Sequence, residues 1–351
     1  MRYSILMMLL ALQLQLMAQE DTVKIGISLS PEKQAEEFYN KGIAALKENE
    51  LEAAEEFFGK SIELKPNFEK ALNNRAVAYT RQKKYDDALK DLHRVLKLNP
   101  NNADTYFNKS LLYFNTNQRD SQEVALDHCL KIEPGHAEAA YHKGVLMYDR
   151  EDYDRAISYF NISIASDRNH VYAYNDRGSA RRAKGEYAAS VSDYEKALII
   201  DSTRAFVYNN IGSCYRVSKN YPKALAAYDK AILLSPTFIN AILNRGATYI
   251  ESNNLDAARK DFEKVLDLDS KNSYAYNNLA SIAIKQKNYE MAKTLATKAI
   301  ELNSNNGAAF YNRGIARQML REEEGCCADW KKARDLGVQA AKPFIYASCT
   351  E

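Results

Sequence analysis

The sequence predicts an all-α solenoid of stacked antiparallel helix pairs, and three observations carry that prediction. A frame opened at Ala35 and cut every 34 residues runs nine times without insertion or deletion, giving units 35–68, 69–102, 103–136, 137–170, 171–204, 205–238, 239–272, 273–306 and 307–340. Slot eight of the frame is small in every unit (Gly42, Ala76, Ser110, Gly144, Gly178, Gly212, Gly246, Ala280, Gly314), and slot twenty is small in all but Gln122. Each unit holds two apolar runs at helical spacing, and in four units a proline (Pro66, Pro100, Pro134, Pro236) closes the second run. A strict period of this size means a stacked array of one supersecondary unit, in which neighbours supply each other's core.

The elements follow in chain order. Residues 1–18 read as a cleaved export signal: Arg2 supplies positive charge, Ile5 to Met17 is apolar except for Gln13 and Gln15, and small Ala18 precedes polar Gln19-Glu20. The run is too short to span a bilayer stably, no second apolar segment exists, and no Cys follows it as a lipid-attachment site. The mature chain is therefore expected to carry no integral membrane segment and to be exported, to the periplasm, the outer membrane or the medium. Residues 19–34 form a linker and helix start, with Ser30-Pro31-Glu32 as capping hydroxyl, first-turn proline and acid.

The sixth unit shows what each repeat is. Phe206, Val207, Ile211, Cys214, Tyr215 and Val217 lie at helical spacing, Lys219-Asn220 breaks the run, and Ala224, Leu225, Ala227, Tyr228, Ala231 and Ile232 resume it before Pro236. Small side chains at slots eight and twenty admit close helix approach. Large ones at slot twenty-four (Phe58, Phe160, Tyr194, Tyr228, Phe262, Trp330) fill the space beside them. Slot seven is Arg in four units and slot twenty-three is Asp in the same four. The pairs Arg75–Asp91, Arg177–Asp193, Arg245–Asp261 and Arg313–Asp329 are expected to join the two helices of a unit, because a guanidinium matches a carboxylate at two points.

Asn-Arg-Gly-Ala-Thr-Tyr at 244–249 and Tyr-Asp-Lys-Ala-Ile-Leu-Leu-Ser-Pro at 228–236 resemble the tetratricopeptide repeat family, and the resemblance extends over all nine units. It implies one right-handed superhelical solenoid without internal boundary, whose first helices line a concave groove. Slots two, five, six, nine and twelve or thirteen then face that groove. Slot six holds Asn40, Asn74, Asn108, Asn210, Asn244, Asn278 and Asn312, interrupted by His142 and Asp176, and slot five adds Asn175, Asn209 and Asn277. An amide offers donors and an acceptor, so a row of them suits the backbone of an extended peptide. The competing expectation is that Asn at this slot is family consensus bonding to local backbone. Ser179, Ser213 and Ser281 at slot nine and Tyr172, Phe206 and Tyr274 at slot two make the later units more polar and aromatic than the earlier ones, where slot nine is Ile43, Val77, Leu111 and Val145.

Cys129, Cys214 and Cys326 occupy core slots as small apolar groups. Cys327 and Cys349 are left over. The tail, residues 341–351 with Val338 leading into it, carries Ala341, Phe344 and Ile345 at helical spacing and is expected to cap the last repeat, with a helix start or kink at Pro343. A Cys327–Cys349 disulfide there suits an oxidising compartment. Cys327-Ala-Asp-Trp-Lys-Lys-Ala with a tail Cys is similar to the ends of exported bacterial members of the family. A vicinal Cys326–Cys327 redox or metal pair is the alternative.

The 48 basic and 46 acidic residues leave a charge of +2 with no basic stripe, so nucleic acid is not an expected partner. Five scattered His, no phosphate loop and no nucleophile motif give no catalytic residue, metal or cofactor to name. Paired Lys and Arg on three consecutive first helices, as in family members that clamp chaperone tails, are missing. The expected function is a non-enzymatic scaffold that binds a protein or peptide in its groove, in cell-envelope assembly. A structural component joined through convex faces and ends is the alternative, and a carbohydrate or cell-wall ligand is a third.

Overall fold

The computed structural model describes residues 30–349, and all regular structure among them is helical. The export signal of residues 1–18 and most of the linker lie outside the described residues. Nine helix pairs follow the sequence frame. They are α1 (Pro31–Lys47) with α2 (Leu51–Leu64), α3 (Glu69–Arg81) with α4 (Tyr85–Leu98), α5 (Ala103–Asn115) with α6 (Arg119–Ile132), α7 (Ala137–Asp149) with α8 (Tyr153–Ser166), and α9 (Val171–Ala183) with α10 (Tyr187–Ile200). The series continues with α11 (Ala205–Val217) and α12 (Tyr221–Leu234), α13 (Ile239–Glu251) and α14 (Leu255–Leu268), α15 (Ser273–Lys285) and α16 (Tyr289–Leu302), and α17 (Gly307–Met319) and α18 (Glu323–Asp335). The first helix starts where Ser30 accepts a hydrogen bond from the Lys33 N–H and Pro31 opens the first turn.

Every repeat turns the same way between its helices. Slot fifteen has positive φ in all nine: Asn49, Lys83, Asn117, Glu151, Gly185, Lys219, Asn253, Lys287 and Arg321. The next residue's N–H then reaches back five positions, as Asn220 N to Tyr215 O at 2.8 Å, which satisfies a carbonyl that the helix end leaves open. Only Gly185 takes this left-handed conformation without a side-chain penalty of roughly 1 kcal/mol.

Close approach within a pair is a matched exchange of volume. A Cβ added at Gly42, Gly144, Gly178, Gly212, Gly246 or Gly314 would stand 2.4 to 2.8 Å from the slot-twenty-four ring of the same repeat, Phe58, Phe160, Tyr194, Tyr228, Phe262 or Trp330. Where slot eight keeps a Cβ, as Ala76, Ser110 or Ala280, slot twenty-four is Leu92, Leu126 or Ala296. All six rings are fully buried.

The chain forms two compact units, divided between Ile132 and Glu133. The first holds α1–α6 around Phe58, Leu72, Leu92 and Leu112. The second holds α7–α18 around Phe160, Tyr194, Phe262 and Trp330. This corrects the expectation of an array without internal boundary. A constant period dictates the hairpin inside each repeat, whereas packing from one hairpin to the next depends on the residues at each junction.

The tail closes the second unit. A 3₁₀ turn at Gln339–Ala341 leads into α19 (Lys342–Ser348), with Pro343 in its first turn. Ala341 is buried, and the Phe344 ring lies 5.0 Å from Trp330 and 5.6 Å from Tyr311. Cys327 and Cys349 are disulfide-bonded across a sequence separation of 22, a closure that contributes about 3 kcal/mol. Cys326 is a free, buried thiol, so the vicinal pair does not form.

Candidate peptide-binding groove

The asparagine row divides into two kinds of residue. Slot six of one repeat reaches slot five of the repeat before it, 35 residues earlier. Asn210 Nδ2 donates to Asn175 Oδ1 at 3.0 Å, Asn244 Nδ2 to Asn209 Oδ1 at 2.9 Å, and Asn312 Nδ2 to Asn277 Oδ1 at 2.9 Å. Asn74 Nδ2 donates to Tyr39 Oη at 3.3 Å, and the interruption at Asp176 follows the same rule, accepting from Tyr141 Oη at 2.8 Å. These bonds tie consecutive first helices together. Asn175 and Asn277, offered by the sequence as groove residues, are buried beneath them. That assignment is corrected: a buried amide requires its partner, and the adjacent repeat provides one. Asn40, Asn108 and Asn278 make no such bond among the described residues. Asn40 has no repeat before it, and Asn73 Oδ1, the acceptor before Asn108, is taken by Thr105 Oγ1 at 2.9 Å. Asn278 faces Leu243, which has nothing to offer.

A groove of about 970 Å³ runs along α9, α11, α13 and α15. Its walls come from the slots expected to face a concave side: Asn240 and Tyr274 from slot two, Asn209 from five, Asn210, Asn244 and Asn278 from six, Ser179 and Ser213 from nine, and Arg182 and Arg216 from twelve. Ser213 donates to the Asn209 carbonyl at 3.0 Å and accepts from Tyr228 Oη at 3.3 Å, which fixes its rotamer. Beside the groove, the Tyr172 and Phe206 rings stack at 6.1 Å in parallel planes. The surface is therefore amides, hydroxyls and rings, with two guanidiniums and no carboxylate among its lining residues.

Burial raises the phenol pKa of Tyr148, Tyr194 and Tyr228, and the Arg182 charge opposes that rise in each. At the other end of the row, burial and then the Asp176 charge push Tyr141 upward. Burial also raises Asp176 against the hydrogen bonds from Tyr141 and Asn175, and lowers His142.

The four helix-joining ion pairs lie on another side of the first helices. Arg75 Nε is 2.7 Å from Asp91, Arg177 Nη2 2.6 Å from Asp193, Arg245 Nη2 2.6 Å from Asp261, and Arg313 Nη2 2.7 Å from Asp329. Each contact is two-pronged, and the carboxylates are buried. The hydrogen bond to the Asp raises the pKa of Arg75 and Arg245. Sequence reasoning missed a third arm. Arg177 Nη1 also donates to Asn161 at 2.7 Å and Arg245 Nη1 to Asp229 at 2.7 Å, both at slot twenty-five of the preceding repeat. Arg181 and Arg317, at slot eleven, add second guanidiniums to Asp193 and Asp329. Sequence reasoning also missed Arg182 and Arg216, whose signal was the same basic residue at slot twelve of two consecutive repeats.

No group of three or more His, Cys, Asp or Glu among the described residues is placed to hold a metal ion. No helix among them is long and apolar enough to cross a membrane.

Tetratricopeptide repeat models match residues 35–68, 69–102, 103–136, 143–205, 205–238 and 249–312. No curated protein matches the chain in sequence. Among solved structures, the APC/C hetero-tetramer Cut9–Hcn1 is similar with a TM-score of 0.58 at 15% identity, over 92% of this chain and 67% of that one. Yeast Tom70 is similar with a TM-score of 0.53 at 16% identity, over 90% of this chain and 89% of that one. A tetratricopeptide repeat protein from Parabacteroides merdae gives 0.50 at 20% identity, over 72% of this chain and 99% of that one. At these identities the likeness concerns the fold alone. Nine consecutive hairpins in an unbroken frame, matched by repeat models through most of residues 35–312, place this chain in the tetratricopeptide repeat family.

Proposed function

We propose that this protein is a non-catalytic scaffold that holds an extended segment of another protein in the groove along α9, α11, α13 and α15, within the cell envelope. Proteins of this family are typically interaction scaffolds. The observation that carries the reading is the groove itself: about 970 Å³ lined by polar groups that the repeat-to-repeat ladder does not consume, Asn278 and Arg182 foremost. An extended peptide brings a row of backbone donors and acceptors that such groups satisfy. The envelope assignment rests on the export-signal pattern of residues 1–18 and on the Cys327–Cys349 disulfide, which persists in oxidising compartments.

The test is a pull-down from envelope extract with residues 19–351 beside an Asn278→Ala/Tyr274→Ala variant. A partner held by the natural chain and lost by the equally folded variant supports the groove. Fractionation with terminal sequencing checks export: a mature chain that begins at Gln19 outside the cytoplasm is expected, and a full-length cytoplasmic chain refutes it. A second reading, assembly through the convex faces, has its own observation. Ile199 and Leu233 hold the same slot of consecutive second helices and are 83% and 72% exposed. A partner lost on Ile199→Asp/Leu233→Asp and retained by the groove variant selects that reading.

A further inference from the structure

We propose that the groove selects extended segments carrying carboxylate side chains, which seat on Arg182 and Arg216. The inference rests on the scaffold reading and names its ligand chemistry. On the first helices Arg75, Arg177, Arg245 and Arg313 each close two-pronged on a buried Asp of their own repeat, Arg181 and Arg317 pair with Asp193 and Asp329, and exposed Arg81 donates to the Leu46 carbonyl outside the groove. Arg182 makes no ion pair or hydrogen bond among the described residues. Arg216 has only Glu251, 3.8 Å away and beyond hydrogen-bonding reach. Both guanidiniums are half-buried, and no acid lines the groove between them and Asn278. They stand one repeat apart at the same slot, so a ligand lying along the first helices passes both.

A half-buried guanidinium with open donors is a planar fork awaiting a planar acceptor. A carboxylate meets it with two parallel charge-assisted hydrogen bonds, whereas a neutral amide offers one acceptor and no charge. Asn278 and its neighbouring amides serve the peptide backbone and are indifferent to side-chain charge. Backbone grip and charge selection are thus assigned to different residues, which makes them separable by experiment.

Short random peptides displayed on phage are panned against the full chain, and selected sequences are resynthesised with every Asp and Glu, or with Asn and Gln in their place. Enrichment in acids is expected, and the amide forms should bind at least about tenfold more weakly. Arg182→Gln/Arg216→Gln should bind the acidic form as weakly as the amide form, Arg182→Lys/Arg216→Lys should recover part of the difference, and Asn278→Ala should weaken both forms alike. Thermal melts check that each variant is folded. If acid and amide forms bind the natural chain equally, or the Gln pair still distinguishes them, charge selection is wrong and the peptide groove stands. If no peptide binds above background, the groove reading and the charge selection fall together.

Discussion

Arg177 and Arg182 sit five residues apart on one helix and live in opposite electrostatic worlds. Arg177 is held by Asp193 at 2.6 and 2.9 Å and by Asn161 at 2.7 Å, and is nearly buried. Arg182 lines the groove without a carboxylate partner. The comparison teaches how to separate framework from function in a repeat array. A charge whose partner recurs in the same frame holds the hairpin together, whereas Arg182, half-buried in a groove and without such a partner, is the charge the proposed ligand would use.

The largest test of that contrast is removal of Asp193. Asp193→Ala strands Arg177 and Arg181 and is expected to cost about 3–5 kcal/mol in urea melts. Arg182→Gln should stay within about 0.5 kcal/mol of the natural chain. Equal costs would erase the distinction. A second test leaves charge aside: Gly212→Ala places a Cβ 2.6 Å from the Tyr228 ring, expected to cost about 1–3 kcal/mol, and Tyr228→Leu in the same chain should recover much of it. The contrast recurs among the amides at smaller scale. Asn210→Ala breaks a bond between repeats and should cost about 1 kcal/mol, while Asn278→Ala, with no such bond, should cost close to nothing.

The smallest effect concerns pH. Burial raises the Asp176 carboxyl above its unfolded value, so the folded state binds this proton more tightly. Stability is then lost as pH climbs from the unfolded pKa through the folded one, and stays lower above it. Asp176→Asn, which gives slot six the residue it holds in seven other repeats, should remove that decline and leave the protein more stable at neutral pH. Urea melts from acid to neutral pH, run on both chains, decide it.

Much of the fold was legible because the repeats are copies. The Arg–Asp pairs showed themselves by appearing and disappearing together, whereas slots eight and twenty-four read only as one small and one large column, and the exchange of volume between them came with the structure. The ladder was hidden by the frame. It joins slot six to slot five one repeat back, so its two halves fall in different columns, and a column rich in Asn read as a display surface. The third arm of Arg177 and Arg245 had no columnar signal, since slot twenty-five is Asn161 in one repeat, Asp229 in another and Thr297 in a third. The division after Ile132 has no mark in the sequence frame, in which every junction looks alike.

The tail has a consequence for how the array comes apart. In a stack coupled only to nearest neighbours, a terminal repeat has one neighbour where an inner repeat has two, so opening begins at ends. The Cys327–Cys349 bridge locks α19 onto the final hairpin and shuts that end. Reduction would reopen it, letting α17 and α18 peel away and releasing the Asn312–Asn277 link behind them. Faster hydrogen exchange in α17 and α18 after reduction is the expected sign.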